Sequence, residues 1–151
     1  MRKKIYNFIA LSAVLFCMGF LTNFLWEGLH GVYLYRDHNM PAVQYVPMLV
    51  YVSIMDGLLI VGLYLWTSLW HVDLFWPSKT GGKPFLLFVI SALSLAVYIE
   101  YRAVYMLEKW SYLPEMPTLF GIGISPLIQL AVTGAVAVAT VRCTRHCWNH
   151  L

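Results

Sequence analysis

Charge is scarce in this chain. Of its 151 residues ten are Lys or Arg and seven are Asp or Glu, a charged share of 11% against about a quarter in an average soluble domain. That shortage excludes a globular surface made to face water. Cysteine is scarce as well: Cys17, Cys143 and Cys147 are too few and too scattered for a disulfide framework, and they fit a reducing compartment. No internal repeat or low-complexity tract is present. Gly121-Ile122-Gly123 has no strand-like run before it and no Gly-Lys after it, so it is not a nucleotide loop, and no cofactor-binding motif is found.

What the chain has in abundance is apolar length. Residues of the Ala, Val, Ile, Leu, Met, Phe, Trp, Tyr and Cys set make up 60% of it. They gather into four runs, about 5–29, 46–70, 85–106 and 118–141, each close to the roughly 20 residues that cross about 30 Å of hydrocarbon. Pro41 and Pro47, the stretch from Pro77 to Pro84, and Pro114 with Pro117 separate them. Helices joined by short links alternate in direction. The expected fold is therefore all-α: a polytopic membrane protein whose four transmembrane helices form one antiparallel bundle, with residues 142–151 as a tail. The basic start Met1-Arg2-Lys3-Lys4 precedes a run too long for a secretory signal and without a small-residue cleavage site, so it is expected to remain as a helix.

Orientation follows from Lys and Arg. With the N-terminus inside, Arg2, Lys3, Lys4, Lys79, Lys83, Arg142 and Arg145 lie on the inner side, and Arg36, Arg102 and Lys109 on the outer. Both termini are expected in the cytoplasm, with the chain in a cell inner membrane. The net charge of +3 is this bias, and no nucleic-acid partner is expected. Trp66, Trp70 and Trp76 at one boundary and Tyr101, Tyr105, Trp110 and Tyr112 at the other read as aromatic belts.

Against this apolar background, ionisable and amide groups inside the spans demand a reason, since each costs about 2.5–3.5 kcal/mol on insertion scales. In the first span Gly19, Asn23, Glu27 and Gly31 recur every fourth residue, with His30 three places after Glu27. The second span carries Ser53, Asp56 and Gly57, the third Ala92, Ala96 and Glu100, and the fourth Gly121, Ser125, Gln129, Thr133 and Ala137. Small residues at this spacing mark faces along which membrane helices approach closely. The acids share those faces, which places Glu27, Asp56, Glu100 and Gln129 in the bundle interior, around a polar pocket open toward the outer side. Pro126 within the fourth span is expected to kink it.

Two chemistries suit such a pocket. Carboxyl groups withdrawn from water and set beside one another can exchange a proton near neutral pH. Glu27, His30, Asp56 and Glu100 are then the candidate catalytic groups, acting on a lipid or isoprenoid-like molecule drawn from the bilayer, with Asn23, Arg102, Trp110, Tyr112 and Gln129 as candidate substrate-binding groups. Arg102, Trp110 and Tyr112 would meet an anionic head group. The other chemistry is a divalent metal held by Glu27, His30, Asp56 and Glu100, because Glu27-Gly28-Leu29-His30 has the Glu-x-x-His spacing of di-iron bundles. The same groups would also serve a small proton, cation or solute transporter, or would only fix helix register in an accessory subunit. In the tail, Cys143, His146, Cys147 and His150 would enclose zinc only by folding back or in a homo-oligomer.

Phe24-Leu25-Trp26-Glu27 with His30 and Tyr33, Ser53-x-x-Asp56-Gly57, and Trp110-x-Tyr112 followed by Met116-Pro117 and Gly121-x-Gly123-x-x-Pro126-x-x-Gln129 form one further pattern. In it the chain resembles a family of small bacterial and archaeal four-helix integral membrane proteins of uncharacterised role. The resemblance implies a complete four-span unit and no particular activity.

Overall fold

An apolar segment in lipid must satisfy its own backbone, and coiling into a helix does so within the segment. The computed structural model describes residues 2–38, 40–79 and 81–144. Helix α1 spans Arg2–Leu34, α2 Ala42–His71, α3 Gly82–Tyr101 and α4 Ile124–Cys143, and a π-helical turn at Arg102–Met106 prolongs α3. All four are long and apolar enough to cross a membrane, and they form the expected all-α antiparallel bundle. Around it α1 packs on α2 and on α4, and α4 packs on α3. The α2–α3 seam that closes the ring is much looser. The start of α1, the α2–α3 link and the end of α4 share one end, the termini end. The α1–α2 and α3–α4 links share the other, the link end.

Small residues set the close approaches. A methyl group on Gly19 would meet Ile60 at 2.9 Å and the Gly57 backbone at 3.3 Å, and one on Gly134 would meet the Phe88 ring at 2.7 Å. Below these contacts toward the termini end, Leu11, Leu15, Ile60, Tyr64, Phe88, Val138 and Val141 form a fully packed apolar core. Trp76 belongs to it, only 1% exposed and beside the rings of Tyr64 and Phe88. It is thus not the belt residue expected, because the α2–α3 link folds a turn at Trp76–Ser78 inward. Trp66 and Trp70 are exposed. The link is pinned by Asp73, which accepts from Lys79 Nζ at 2.7 Å and from the Phe75 backbone N–H at 3.0 Å. Slight burial opposes the charge on Asp73, but these two partners outweigh it and hold the carboxyl below its usual range.

The link end departs from expectation. α1 continues to Leu34 and α2 already begins at Ala42, after Pro41. α4 begins at Ile124, six residues later than expected. Residues 118–123 form instead a two-stranded hairpin, β1 (Thr118–Leu119) with β2 (Ile122–Gly123). Its turn residues Phe120 and Gly121 have φ of 51° and 80°, the left-handed pair that a tight hairpin requires. Gly121 is needed there twice over, since a side chain would also run into the Tyr105 hydroxyl. Pro126 is consequently the third residue of α4, where its missing N–H would have no intrahelical partner anyway, and the expected mid-span kink does not arise. Of the tail motif only Cys143 is described; His146, Cys147 and His150 lie outside the described residues.

Candidate functional site

Asn23, Glu27, Asp56 and Gln129 come from three helices and meet at one amide. Asn23 Nδ2 donates to the Gly19 carbonyl one turn back at 2.8 Å, which turns its Oδ1 toward α4. Gln129 Nε2 lies 3.1 Å from that oxygen, 2.6 Å from Glu27 Oε1 and 3.3 Å from Asp56 Oδ2. One NH2 group has two hydrogens, so three acceptors around it exceed what it can supply. Thr133 donates to the Gln129 carbonyl at 2.9 Å and Tyr45 to that of Glu27 at 3.1 Å, which fixes both backbones. His30 sits beside the group with its Nδ1 3.9 Å from Glu27 Oε2, too far for a hydrogen bond. Its side chain is 6% exposed, and neither ring nitrogen has a hydrogen-bond partner among the described residues.

Glu100 has a different environment. Only 5% exposed, it accepts from Tyr35 at 3.3 Å on one oxygen and from Trp110 at 3.4 Å and Tyr112 on the other. All three donors come from the links. Burial first, and then the neighbouring Glu100 charge, push the Tyr35 phenol far above its usual range. Burial and the hydrogen bond to Glu100 do the same for Tyr112. Both therefore remain protonated donors at any physiological pH.

A cavity of about 590 Å³ joins the two groups, within the range of small-molecule sites. Glu27, Asp56, Glu100 and Gln129 supply polar points from the helices, and Tyr35, His38, Lys109 and Trp110 supply others from the links. Its α2 wall is Met48, Tyr51, Val52, Met55 and Leu59 with Asp56 among them, positions that share one helix face. From Met48 to Leu59 that wall runs about 16 Å. α3 contributes Ala96, Ile99 and Glu100, so the cavity lies along the sparsely packed α2–α3 seam. The chamber is thus chiefly apolar, with carboxyl groups at several heights.

The sequence-derived candidates fall into three sets. Asn23, Glu27, Asp56 and Gln129 are brought together, with His30 at their edge. Glu100, Trp110 and Tyr112 form the second group, of which Glu100 and Trp110 line the same cavity. Arg102 is exposed and does not line the cavity, since two residues after Glu100 the helix has turned away. Among the described residues no three His, Cys, Asp or Glu side chains gather as metal ligands would, so the metal reading of Glu27, His30, Asp56 and Glu100 gains no support. Tyr35, Tyr45 and the methionine wall of α2 were not foreseen. Their signal was absent because each acquires its place through a partner on another element. Tyr33, part of the sequence pattern, is exposed.

Compared with protein-family models, with curated proteins and with solved structures, the chain matches none of them.

Proposed function

We propose that this chain is a prokaryotic inner-membrane protein, with both termini in the cytoplasm, that performs acid–base chemistry on a lipid or isoprenoid-like molecule held in its cavity. The observation that carries this reading is the gathering of Asn23, Glu27 and Asp56 around the single amide of Gln129, on the wall of a mostly apolar chamber. The set has more acceptors than donors, and a proton held between Glu27 and Asp56 supplies the missing one. Such a proton can be given to an apolar ligand, and the carboxylate left behind can take one from it, without water as intermediary. His30, 3.9 Å from Glu27, becomes the group through which the proton is restored when the two side chains close to hydrogen-bond distance. The α2–α3 seam supplies a sideways entrance for a molecule dissolved in the bilayer.

Transport is the less favoured alternative. The layer of Leu15, Ile60, Phe88 and Val138, all fully buried, lies between the cavity and the termini end and offers no polar relay.

The test is proton exchange with solvent. The purified protein is incubated in D2O with the apolar fraction of a bacterial lipid extract, and the lipids are read by mass spectrometry. The expected result is deuterium in one lipid class, reduced at least about 100-fold by Glu27→Gln or Asp56→Asn while the variants stay folded. An extract left without deuterium by the wild-type protein would sink the acid–base reading.

A further inference from the structure

The two groups on the cavity differ in how their hydrogen bonds are filled. The Gln129 amide is over-subscribed, whereas the Glu100 carboxylate is met by three side-chain donors: Tyr35 from the α1–α2 link, and Trp110 and Tyr112 from the α3–α4 link. The backbones of those links are also stitched together there. Arg36 N–H donates to the Ser111 carbonyl at 3.0 Å and Leu113 N–H to that of Leu34 at 2.9 Å, on either side of an antiparallel bridge between Tyr35 and Tyr112. The Tyr35 ring stands edge-on to Trp110 at 6.1 Å and to His30 at 5.0 Å. Tyr35 and Trp110 both line the cavity, at its link end.

We propose that Glu100 is a positioning residue and not one of the groups that exchange a proton with the ligand: its carboxylate gathers Tyr35, Trp110 and Tyr112 and so holds the two links together as a cap that keeps water away from Glu27 and Asp56. This refines the role of one residue within the acid–base reading above and rests on it. A carboxylate is the right centre for this task. It accepts on both oxygens and donates nothing, so three donors from two separate segments can converge on it. A glutamine there would keep a single acceptor oxygen, would force a phenol such as Tyr35 to accept from its NH2 in place of donating, and would lose the charge that strengthens all three bonds. With the cap closed, the way in for a ligand is the loose α2–α3 seam. With it open, water reaches the carboxyl pair from the link end, and a proton exchanged there goes to solvent.

Ala96 reports on this without any turnover. It lies one turn below Glu100 on the same face of α3, is 5% exposed and lines the cavity. In protein carrying Cys17→Ser, Cys143→Ser and Cys147→Ser, Ala96→Cys is reacted in lipid vesicles with a charged, membrane-impermeant maleimide and with an uncharged lipophilic one. The expected result is fast reaction with the lipophilic reagent and slow reaction with the charged one. Adding Glu100→Gln should raise the charged-reagent rate tenfold or more, Tyr112→Phe should raise it less, and Glu27→Gln should leave it unchanged, all in variants that remain folded. Fast charged labelling with Glu100 intact, or no increase in Glu100→Gln, overturns the cap. If Glu100→Gln does not assemble, Tyr35→Phe with Tyr112→Phe takes its place, and an unchanged rate there has the same force. Loss of deuterium exchange in Glu100→Gln at an unchanged labelling rate would make Glu100 a reacting carboxylate, which ends this proposal and leaves the acid–base reading standing.

Discussion

The two ends of this bundle solve opposite problems with the same four helices. At the termini end Leu15, Ile60, Phe88, Val138 and Val141 interlock with no exposure, and glycine at 134 lets the Phe88 ring lie directly on α4. At the link end α2 and α3 separate, a cavity of about 590 Å³ remains, and its polar groups come from all four helices and both links. In lipid the apolar surroundings hold helices together no better than one another's side chains do, so close packing must come from shape. One half is shaped to leave nothing out; the other leaves room. The comparison teaches that the packed half is the foundation on which an under-packed and polar half can be kept.

That contrast can be broken from the packed side first. Phe88→Ala should empty a space beneath Gly134 that the backbone cannot refill, costing about 2–3 kcal/mol on the usual scaling with cavity volume. Denaturation in detergent should register it as a lowered midpoint. Retention of the wild-type midpoint would mean the termini end is not the stabilising half.

A smaller effect is expected on the polar side. Gln129→Leu removes the shared donor from Asn23, Glu27 and Asp56, yet polar bonds between membrane helices contribute only about 0.6 kcal/mol on average and about 1.7 at most. The same denaturation assay should show a loss of about 1–2 kcal/mol, while deuterium exchange falls far more steeply. Equal losses in both would make the cluster structural.

The smallest effect sharpens the comparison by pH. The phenols of Tyr35 and Tyr112 are raised above the ordinary value of 10.0 in the folded protein. A group whose folded pKa is raised contributes fully below its unfolded value and loses that contribution as pH climbs beyond it. The ratio of charged-reagent to lipophilic-reagent labelling of Ala96→Cys, in which the thiolate fraction cancels, should therefore stay flat up to about pH 10 and rise only above it. A rise beginning near neutrality would show that the cap depends on some other titrating group.

Particular residues show how much of this was legible beforehand. Glu27 and Asn23 were placed on one face by a spacing of four, and the helix keeps that promise wherever it is packed. On the small-residue stripe expected for the fourth helix, Gln129, Thr133 and Ala137 face the bundle, whereas Gly121 lies exposed in the hairpin turn. α4 starts six residues beyond the boundary its apolar run predicts, because Gly121, Gly123 and Pro126 are compatible with a kinked span as well as with a hairpin followed by a first turn. Pro117, whose carbonyl receives the Ile124 N–H at 2.8 Å, decides between them only once the chain has turned back on itself. Trp76 was assigned to a lipid boundary by its neighbours in sequence, and its true partners, Tyr64 and Phe88, lie on two other helices.

By itself the amino-acid order determined the number of spans, their alternating course and which polar groups share a helical face, since apolar run length and the 3.6-residue turn are properties of the local chain. Which carboxyl group meets which partner was decided only in three dimensions. Glu27, Asp56 and Glu100 look alike in a linear reading, yet two of them converge on Gln129 and the third is taken by the links. That division depends on the relative heights of separate helices and on the backbone path of residues 35 and 110–112, and neither is written in any local period.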